Sequence, residues 1–247
     1  MGVFVETCTI LGIEYDNVTV EQAAAVIYSR VCAGSGGYAV TPNAEMSEQC
    51  RVTPALAEAV RDADMRLPDG AGVVLASKIC GRPLQARAAG FDTSVCLLGM
   101  LAKGGKSVYL LGAKPGIAQK AAENLRENYP GLAIAGEHHG YFQKDEEILP
   151  DILAAKPDML FVALGSPRQE IFMRRHRGEL GAFMIGLGGS LDIFAGEAKR
   201  APALFIRFNL EWLYRLLREP WRIGRMMRLP RYVLRAFGYR LAHRGGS

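Results

Sequence analysis

This 247-residue chain lacks the marks of several protein classes. No apolar run approaches the roughly eighteen residues that a membrane-spanning helix requires. The N-terminus lacks the basic and long apolar stretches of a secretory signal peptide, so we expect none. The five cysteines lie far apart and form no Cys-x-x-Cys pair. A disulfide framework or a cysteine-based zinc site is therefore not expected, which suits a reducing compartment.

Cofactor-binding signatures are also missing. The chain has neither a Gly-x-Gly-x-x-Gly fingerprint nor a Walker Lys-Ser/Thr pair, which argues against NAD and ATP as ligands. His138 and His139 are adjacent, and within a strand they would point to opposite faces and could not share a metal ion. Since His176 and His243 add no ligand spacing, we predict no protein-built metal site and no bound cofactor.

Charge is distributed unevenly along the chain. Residues 199–247 carry twelve basic and two acidic side chains, a formal charge of +10, whereas residues 1–198 carry 18 and 23, a charge of −5. So basic a tail favours a partner that bears phosphate, which could be anionic lipid, nucleic acid or a phosphorylated substrate. We predict a catalytic domain over residues 1–196 and an appendage over residues 197–247.

The body of the chain alternates strand-like and helix-like segments. The runs "SVYLLG" (107–112), "MLFVALG" (159–165) and "AFMIGLGG" (182–189) are continuously apolar, as in strands that are buried on both faces. Their alternation with helices predicts an α/β fold, a Rossmann-like and mostly parallel sheet with helices on both faces. Such sheets bind ligands where strands end and helices begin.

The tail has the pattern of a basic amphipathic helical appendage. At helical spacing one stripe is basic and another is apolar; the basic stripe contains Arg215, Arg218, Arg222 and Arg225, and the apolar stripe contains Leu213, Leu216, Ile223 and Met227. Pro220 and Pro230 should break the region into short helices. The mixture of arginine with Trp and Tyr favours binding to a membrane surface. The alternative is that the apolar stripe simply docks on the body.

Asp69 is the candidate for catalysis, in the stretch "MRLPDGAGVV" (65–74). Asp-Gly after proline is common in turns, and an aspartate at a helix N-cap is commoner than a catalytic base. Its position at the end of a predicted parallel strand, with the small Gly70 and Ala71 beside it, favours a chemical role.

Other strand ends carry candidate binding residues. In "TPNAEM" (41–46), Thr41 and Asn43 could hydrogen-bond a sugar or ribose, although Asn43 could instead cap the following helix. "GSPRQE" (165–170) opens a helix whose N–H groups suit a phosphate or a uracil carbonyl. The candidates in the glycine-containing loops are Ser166, Arg168, Gln169, Gly112 of "GAKPG" and Gly188 of "GLGGSLD".

Taken together, "TPNAEM", "LPDGAGVV", "LLGAKPG", "HHGYF", "GSPRQE" and "GLGGSLDIFAGEAKRAP" resemble the motifs of the WecG/TagA/CpsF glycosyltransferases in order and spacing. The resemblance extends from about residue 8 to about residue 235. "ARAAGFD" (86–92) is similar to the family's Arg-x-x-Gly-x-Asp segment through Arg87, Gly90 and Asp92.

The resemblance implies a peripheral enzyme at the cytoplasmic face of a bacterial inner membrane. Such enzymes move a sugar, often N-acetylmannosamine or its uronic acid, from UDP to a polyprenyl-diphosphate-linked sugar in teichoic acid, common antigen or exopolysaccharide synthesis, with no tightly bound metal. The resemblance places the catalytic base on Asp69 and substrate-binding roles on Thr41, Asn43 and Gln169. The appendage arginines would meet the diphosphate and the anionic membrane surface. Arg87 could bind a substrate carboxylate or pair with Asp92.

Two other functions compete with this interpretation. One is a nucleotide-binding enzyme without glycosyl transfer, such as a dehydrogenase, against which the missing fingerprint counts. The other is an arginine-tail nucleic-acid binder, but arginine interleaved with Leu, Met and Trp fits a membrane better than a phosphate groove. We therefore expect no nucleic-acid partner. A homo-oligomer is left open, because a second subunit could cover the apolar surface beneath the tail.

Overall fold

The computed structural model describes residues 5–207, 210–218, 224 and 227–242, without the side chains of residues 203 and 215. The described chain begins with an antiparallel hairpin of β1 (Thr7–Ile10) and β2 (Ile13–Asp16), which the sequence pattern had not indicated. The Asp16 carboxylate accepts a hydrogen bond from the backbone N–H of Arg66 at 2.6 Å. This bond ties the hairpin to the edge of the main sheet.

In the part of the chain that the structure describes, six strands form one entirely parallel sheet, which confirms the predicted fold class. They are β3 (Gly37–Val40), β4 (Met65–Arg66), β5 (Ser107–Gly112), β6 (Ala133–His138), β7 (Met159–Ala163) and β8 (Phe183–Gly186), in the spatial order β4-β3-β8-β7-β5-β6. Every residue of β7 and β8 is buried. Helices on both faces of the sheet account for these continuous apolar runs.

The helices of the body form two layers around the sheet. They are α1 (Val20–Cys32), α2 (Ala44–Cys50), α3 (Pro54–Arg61), α4 (Ala71–Ile79), α5 (Gly90–Lys103), α6 (Ile117–Asn128), α7 (Leu149–Ala155), α8 (Arg168–His176) and α9 (Ser190–Phe194). One apolar core lies between the sheet and α1, α5, α6 and α9. A second core lies between the opposite face and α2, α3, α7 and α8.

The connections after β5 and β7 leave the sheet toward opposite faces. β5 leads into α6 on the first face, whereas β7 leads into α8 on the second. Because β5 and β7 are neighbours in the sheet, their diverging loops open a crevice at the carboxyl ends of the strands. Open parallel sheets bind ligands at such a switch point.

The tail contains α10 (Ala203–Arg207), α11 (Glu211–Arg218) and α12 (Arg228–Ala242). α12 packs against α2 and α4, where Tyr232 and Ala236 are fully buried. They join a third apolar core that also contains residues of the hairpin and of α4. Part of the tail therefore docks on the body, through α12. The alternative interpretation concerned other residues, of which Met227 is exposed and Ile223 lies outside the described residues.

Pro230 does not break a helix, contrary to expectation. It is the third residue of α12, in the first turn, where N–H groups have no partner within the helix. Pro220 lies outside the described residues. Within the described ranges no helix combines the length and apolar character needed to cross a membrane.

Candidate active site

A cavity of about 420 Å³ lies at the carboxyl ends of β3, β4, β7 and β8. Parallel strands end at the same edge of a sheet, so loops far apart in sequence meet there. Most of the predicted site residues line this first cavity: Thr41, Asn43, Asp69, Arg87, Ser166, Gln169 and Gly188. The predicted loops therefore meet at one cavity, while the roles of these residues stay predictions.

Asp69 lies in a loop that backbone hydrogen bonds hold in place. Its N–H donates to the carbonyl of Pro42 at 3.3 Å, and the carbonyl of Pro68 accepts from the N–H of Ala88 at 2.9 Å. The N-cap of α4 is Gly70, whose φ of 85° favours glycine. Asp69 thus precedes the capping position, and the N-cap interpretation of this aspartate is wrong.

Arg87 joins Asp69 to the appendage. Its Nε donates to Oδ1 of Asp69 at 3.3 Å, and its Nη2 donates to Oε2 of Glu211 in α11. Burial lowers the pKa of Arg87, but the neighbouring carboxylates of Asp69 and Glu211 raise it by more, so the net shift is upward. A charged guanidinium therefore stands beside the predicted base.

Of the two alternatives left open for Arg87, the pairing with Asp92 is wrong. Asp92 instead forms an ion pair with Nη2 of Arg200, at 2.6 Å. The reason is that α5 begins at Gly90, which places Asp92 in the first helical turn, while Arg200 reaches back from the start of the tail.

Asn43 both caps a helix and lines the cavity. Its Oδ1 accepts from the N–H of Met46 at 2.9 Å, so it is the N-cap of α2, and the capping interpretation is correct. The cap also orients the side chain at the cavity wall, two residues after Thr41. The two roles were treated as competitors, but the fold lets one residue occupy both positions.

Gln169 is held by hydrogen bonds at both ends of its carboxamide. Oε1 accepts from the N–H of Gly188 at 3.1 Å, and Nε2 donates to Oε1 of Glu170 at 2.7 Å. A Cβ at Gly186 would lie 2.8 Å from Nε2, so the glycine makes room for the amide. Strand β8 and the loop after it therefore shape this wall of the cavity.

Two predicted binding residues lie away from the first cavity. Arg168 donates from Nη1 to the Gly140 carbonyl at 2.7 Å and from Nη2 to the Phe142 carbonyl at 2.9 Å. A Cβ at Gly112 would lie 2.3 Å from the carbonyl oxygen of Ala163. The close approach of β5 and β7 thus explains why a glycine occupies position 112. The two hydrogen bonds of Arg168 explain its position as a support for the loop of Gly140 and Phe142.

Arg168 nevertheless lines a second cavity, of about 490 Å³, beside the first. The two cavities share Gly165, Gly188 and Gly189, and the second extends over the crevice between β5 and β7. Its wall also includes Lys114, Tyr141 and Asp192. Together the cavities offer an elongated site with polar groups along its length.

The predicted appendage arginines are only partly described. Arg218 donates to the hydroxyl of Tyr214 at 3.3 Å and does not line the first cavity. The side chain of Arg215, and Arg222 and Arg225 altogether, lie outside the described residues.

Two appendage residues that sequence reasoning missed do line the first cavity, Glu211 and Arg228. Nη1 of Arg228 also lies 3.6 Å from Oε1 of Glu45. A signal for Arg228 was present, since it continues the basic stripe three residues after Arg225. Glu211 could have been noticed as one of two acidic residues in a strongly basic tail.

The two neighbouring histidines do not point to opposite faces as expected. β6 ends at His138, so the alternation of a strand does not extend to His139, and the ring centroids lie 4.4 Å apart. Among the residues that the structure describes, no group of three or more His, Cys, Asp or Glu side chains is arranged to hold a metal ion.

The family comparison decides the class of the protein. The model of the glycosyl transferase WecG/TagA/CpsF family matches residues 8–246, nearly the whole chain. The chain belongs to this family. The resemblance predicted from the motifs is confirmed, and with it a glycosyltransferase assignment.

Two named relatives support the same assignment. A Bacillus spizizenii protein is 43% identical over 199 residues, which cover 80% of this chain and 77% of the relative. A Staphylococcus aureus protein is 35% identical over 228 residues, which cover 91% and 89%. Both relatives carry the name N-acetylglucosaminyldiphosphoundecaprenol N-acetyl-beta-D-mannosaminyltransferase.

Proposed function

We propose that this glycosyltransferase moves a sugar from a UDP-sugar to a polyprenyl-diphosphate-linked sugar, with inversion at the anomeric carbon. The sugar would be N-acetylmannosamine or a related hexose or uronic acid, in agreement with the names of the relatives. The observation that carries the proposal is the meeting of Asp69 and Arg87 in a cavity at the strand ends.

Asp69 is the proposed general base. Its carboxylate takes the proton from the acceptor hydroxyl while that oxygen attacks the anomeric carbon and the bond to UDP breaks. A single displacement with one base inverts the anomeric carbon. Thr41 and Asn43 line the cavity at the neighbouring strand end and are the proposed hydrogen-bonding partners of the sugar hydroxyls.

Protein cations are the proposed partners of the departing diphosphate. Arg87 and Arg228 approach the first cavity from the body and the appendage. Ser166 and Gln169 contribute polar groups near the start of α8. Guanidinium groups form strong, charge-assisted hydrogen bonds with phosphate oxygens, so they can stabilise the leaving group without a metal ion.

The second cavity is the proposed site of the uridine. It lies over the crevice between β5 and β7 and continues from the first cavity, so a nucleotide could extend from one to the other. The exposed ring of Tyr141 offers a stacking surface, and the Asp192 carboxylate offers a hydrogen-bond acceptor for ribose hydroxyls. Here Arg168 holds the loop that carries Tyr141.

Peripheral attachment at the cytoplasmic face of the bacterial inner membrane is the proposed location. α12 exposes Leu234, Phe237 and Leu241 at spacings of three and four residues, on a helix that is rich in arginine. An apolar stripe bordered by cations inserts into the interface of anionic lipids. The lipid-linked acceptor would be reached from this surface.

A donor and acceptor panel tests the proposal. The full-length protein is incubated with UDP-sugars and a short-chain polyprenyl-diphosphate N-acetylglucosamine, in the presence of EDTA. We expect transfer from UDP-N-acetylmannosamine or a close relative, with a β-linked product from the α-linked donor by NMR. An α-linked product would contradict inversion, and an absence of transfer from every UDP-sugar would contradict the donor class.

A further inference from the structure

Glu211 is an acidic residue that the appendage places inside the first cavity. It is the first residue of α11 and lines the same cavity as Asp69 and Arg87. Its side chain is only 15% exposed. A carboxylate in a site proposed to bind a diphosphate repels the substrate, so its presence requires a different explanation.

Glu211 lies in the middle of a row of alternating charges. Oε2 accepts from Nη2 of Arg87, and Oε1 lies 3.9 Å from Nε of Arg200. The row runs from the base to the start of α5, through Asp69, Arg87, Glu211, Arg200 and Asp92. Glu211 is thus shared by one arginine of the body and one at the start of the tail.

The row divides the guanidinium of Arg87 between two carboxylates. Nε donates to Asp69, while Nη2 donates to Glu211. An arginine that faces a single carboxylate prefers the bidentate arrangement, in which two parallel N–H groups bond both oxygens. The bond from Nη2 to Glu211 holds the guanidinium between the two carboxylates and so opposes a rotation that would bring a second N–H of Arg87 to Asp69. A second hydrogen bond from Arg87 would make Asp69 a weaker proton acceptor.

We propose that Glu211 is a positioning residue for glycosyl transfer, which acts through Arg87 and limits the contact of Arg87 with Asp69 to one hydrogen bond. The proposal rests on the proposed role of Asp69 as the base. Because Glu211 belongs to the appendage, the arrangement exists only while α11 is docked. The appendage then supplies the base with its correct neighbourhood in addition to supplying cations for the substrate.

Glu211→Gln tests the proposal, since the amide keeps the size of the side chain and removes its charge. We expect kcat to fall about tenfold or more, as misplaced catalytic groups do, while KM for the UDP-sugar changes less than about twofold. The matched control is Glu197→Gln, in a surface ion pair with Lys120, for which both constants should stay at the wild-type values.

Measuring the effect of Glu211→Gln in a second variant, Arg87→Gln, distinguishes a positioning role of Glu211 from a merely structural one. With Arg87→Gln already present, Glu211→Gln should lower kcat by less than about twofold, because the residue through which Glu211 acts is gone. Equal losses in both backgrounds would show that Glu211 only holds the appendage, and would overturn the proposal. An unchanged or higher kcat, or a lower KM, would show that Glu211 competes with the substrate anion, and would overturn it as well.

Two further variants distinguish a failure of the positioning role from a failure to fold and from a failure of the proposed base. If Glu211→Gln does not fold, Glu211→Asp is measured in the same two backgrounds, with the same expectation of a loss that depends on Arg87. Asp69→Asn is assayed in parallel. Full activity of Asp69→Asn would refute the proposed base itself, whereas a wild-type kcat for Glu211→Gln beside an inactive Asp69→Asn would refute only the positioning role.

Discussion

Gln169 donates a hydrogen bond of 2.7 Å to a carboxylate that is almost completely buried, that of Glu170. Oε2 of Glu170 is a buried oxygen without a hydrogen-bond partner among the described residues. Burial raises the pKa of Glu170 above its ordinary value of 4.5, although the hydrogen bond from Gln169 opposes the shift. A buried acid whose ionised form is destabilised by burial thus lies directly beside Gln169, a residue of the candidate site.

The upward shift predicts how stability depends on pH. An acid whose pKa is higher in the folded state stabilises the fold below its unfolded pKa and loses this contribution as the pH rises through the folded pKa. Glu170→Gln should therefore raise the melting temperature at pH 8, and the gain should shrink as the pH falls toward 4.5. Thermal unfolding between pH 4.5 and 8 measures this difference.

Glu197→Gln provides a control of the opposite sign for the stability measurement. Its hydrogen bond with Lys120 lowers the pKa of Glu197, so this substitution should not raise the melting temperature at any pH. A gain for Glu170→Gln that stays the same at all pH values would show that buried charge is not its cause.

Asp69→Asn should abolish most transfer while the protein folds and binds UDP as before. The amide keeps the size of the side chain but cannot take the acceptor proton, and loss of a general base costs about a hundredfold or more. Initial rates with the lipid acceptor and calorimetric titration with UDP measure the two properties. Asp151→Asn, on the exposed side of α7, is the control. Wild-type rates for Asp69→Asn would exclude this carboxylate as the base.

Gly186→Ala should impair the site through Gln169. The added Cβ would lie 2.8 Å from Nε2 of Gln169 and 3.0 Å from Cε of Met173, so the amide must move away from the cavity wall. We expect transfer to fall about tenfold, as for other small displacements of site groups. Gly178→Ala, where the new methyl group meets no atom within 4 Å, should leave the rate unchanged. Equal rates for the two variants would contradict a role for the Gln169 position.

Tyr232→Ala should loosen the appendage. Tyr232 is fully buried between α12 and the body, and truncation of a large buried aromatic side chain costs about 3–5 kcal/mol. Hydrogen exchange should become faster in α12 and α4, and transfer should fall because Arg228 begins α12. Phe237→Ala, on the exposed face of the same helix, should leave the hydrogen exchange of α12 and α4 unchanged. Unchanged exchange in α12 of Tyr232→Ala would mean that the docking does not depend on this residue.

Leu234→Glu combined with Phe237→Glu should weaken binding to vesicles that contain anionic lipid. Each of these exposed side chains contributes about 1.5–3 kcal/mol when it enters an apolar phase, so the partition coefficient should fall at least about a hundredfold. Sedimentation with vesicles measures it. Val52→Glu combined with Leu153→Glu adds the same charge at exposed sites of the body. Equal losses for both pairs would attribute the effect to net charge alone.

Sequence reasoning succeeded where burial dictates composition. β5, β7 and β8 are buried on both faces, so their sequences are continuously apolar and visible without a structure. The hairpin of β1 and β2 was not predicted from the sequence, because its strands have only four residues each and are partly exposed. α4 and α5 were not assigned, since their N-cap residues, Gly70 and Ala89, provide no capping side chain.

The sequence by itself determined which loops form the site. Parallel strands all end at one edge of the sheet, so recognising the strands was enough to bring Asp69, Thr41, Asn43 and Gln169 together. Only the tertiary structure decided how the charges pair there. Arg87 and Glu211 are 124 positions apart, and their contact depends on where α11 docks, which no local spacing encodes. The docking of α12 likewise brings Arg228 into the cavity, and Asp92 pairs with Arg200 and not with Arg87.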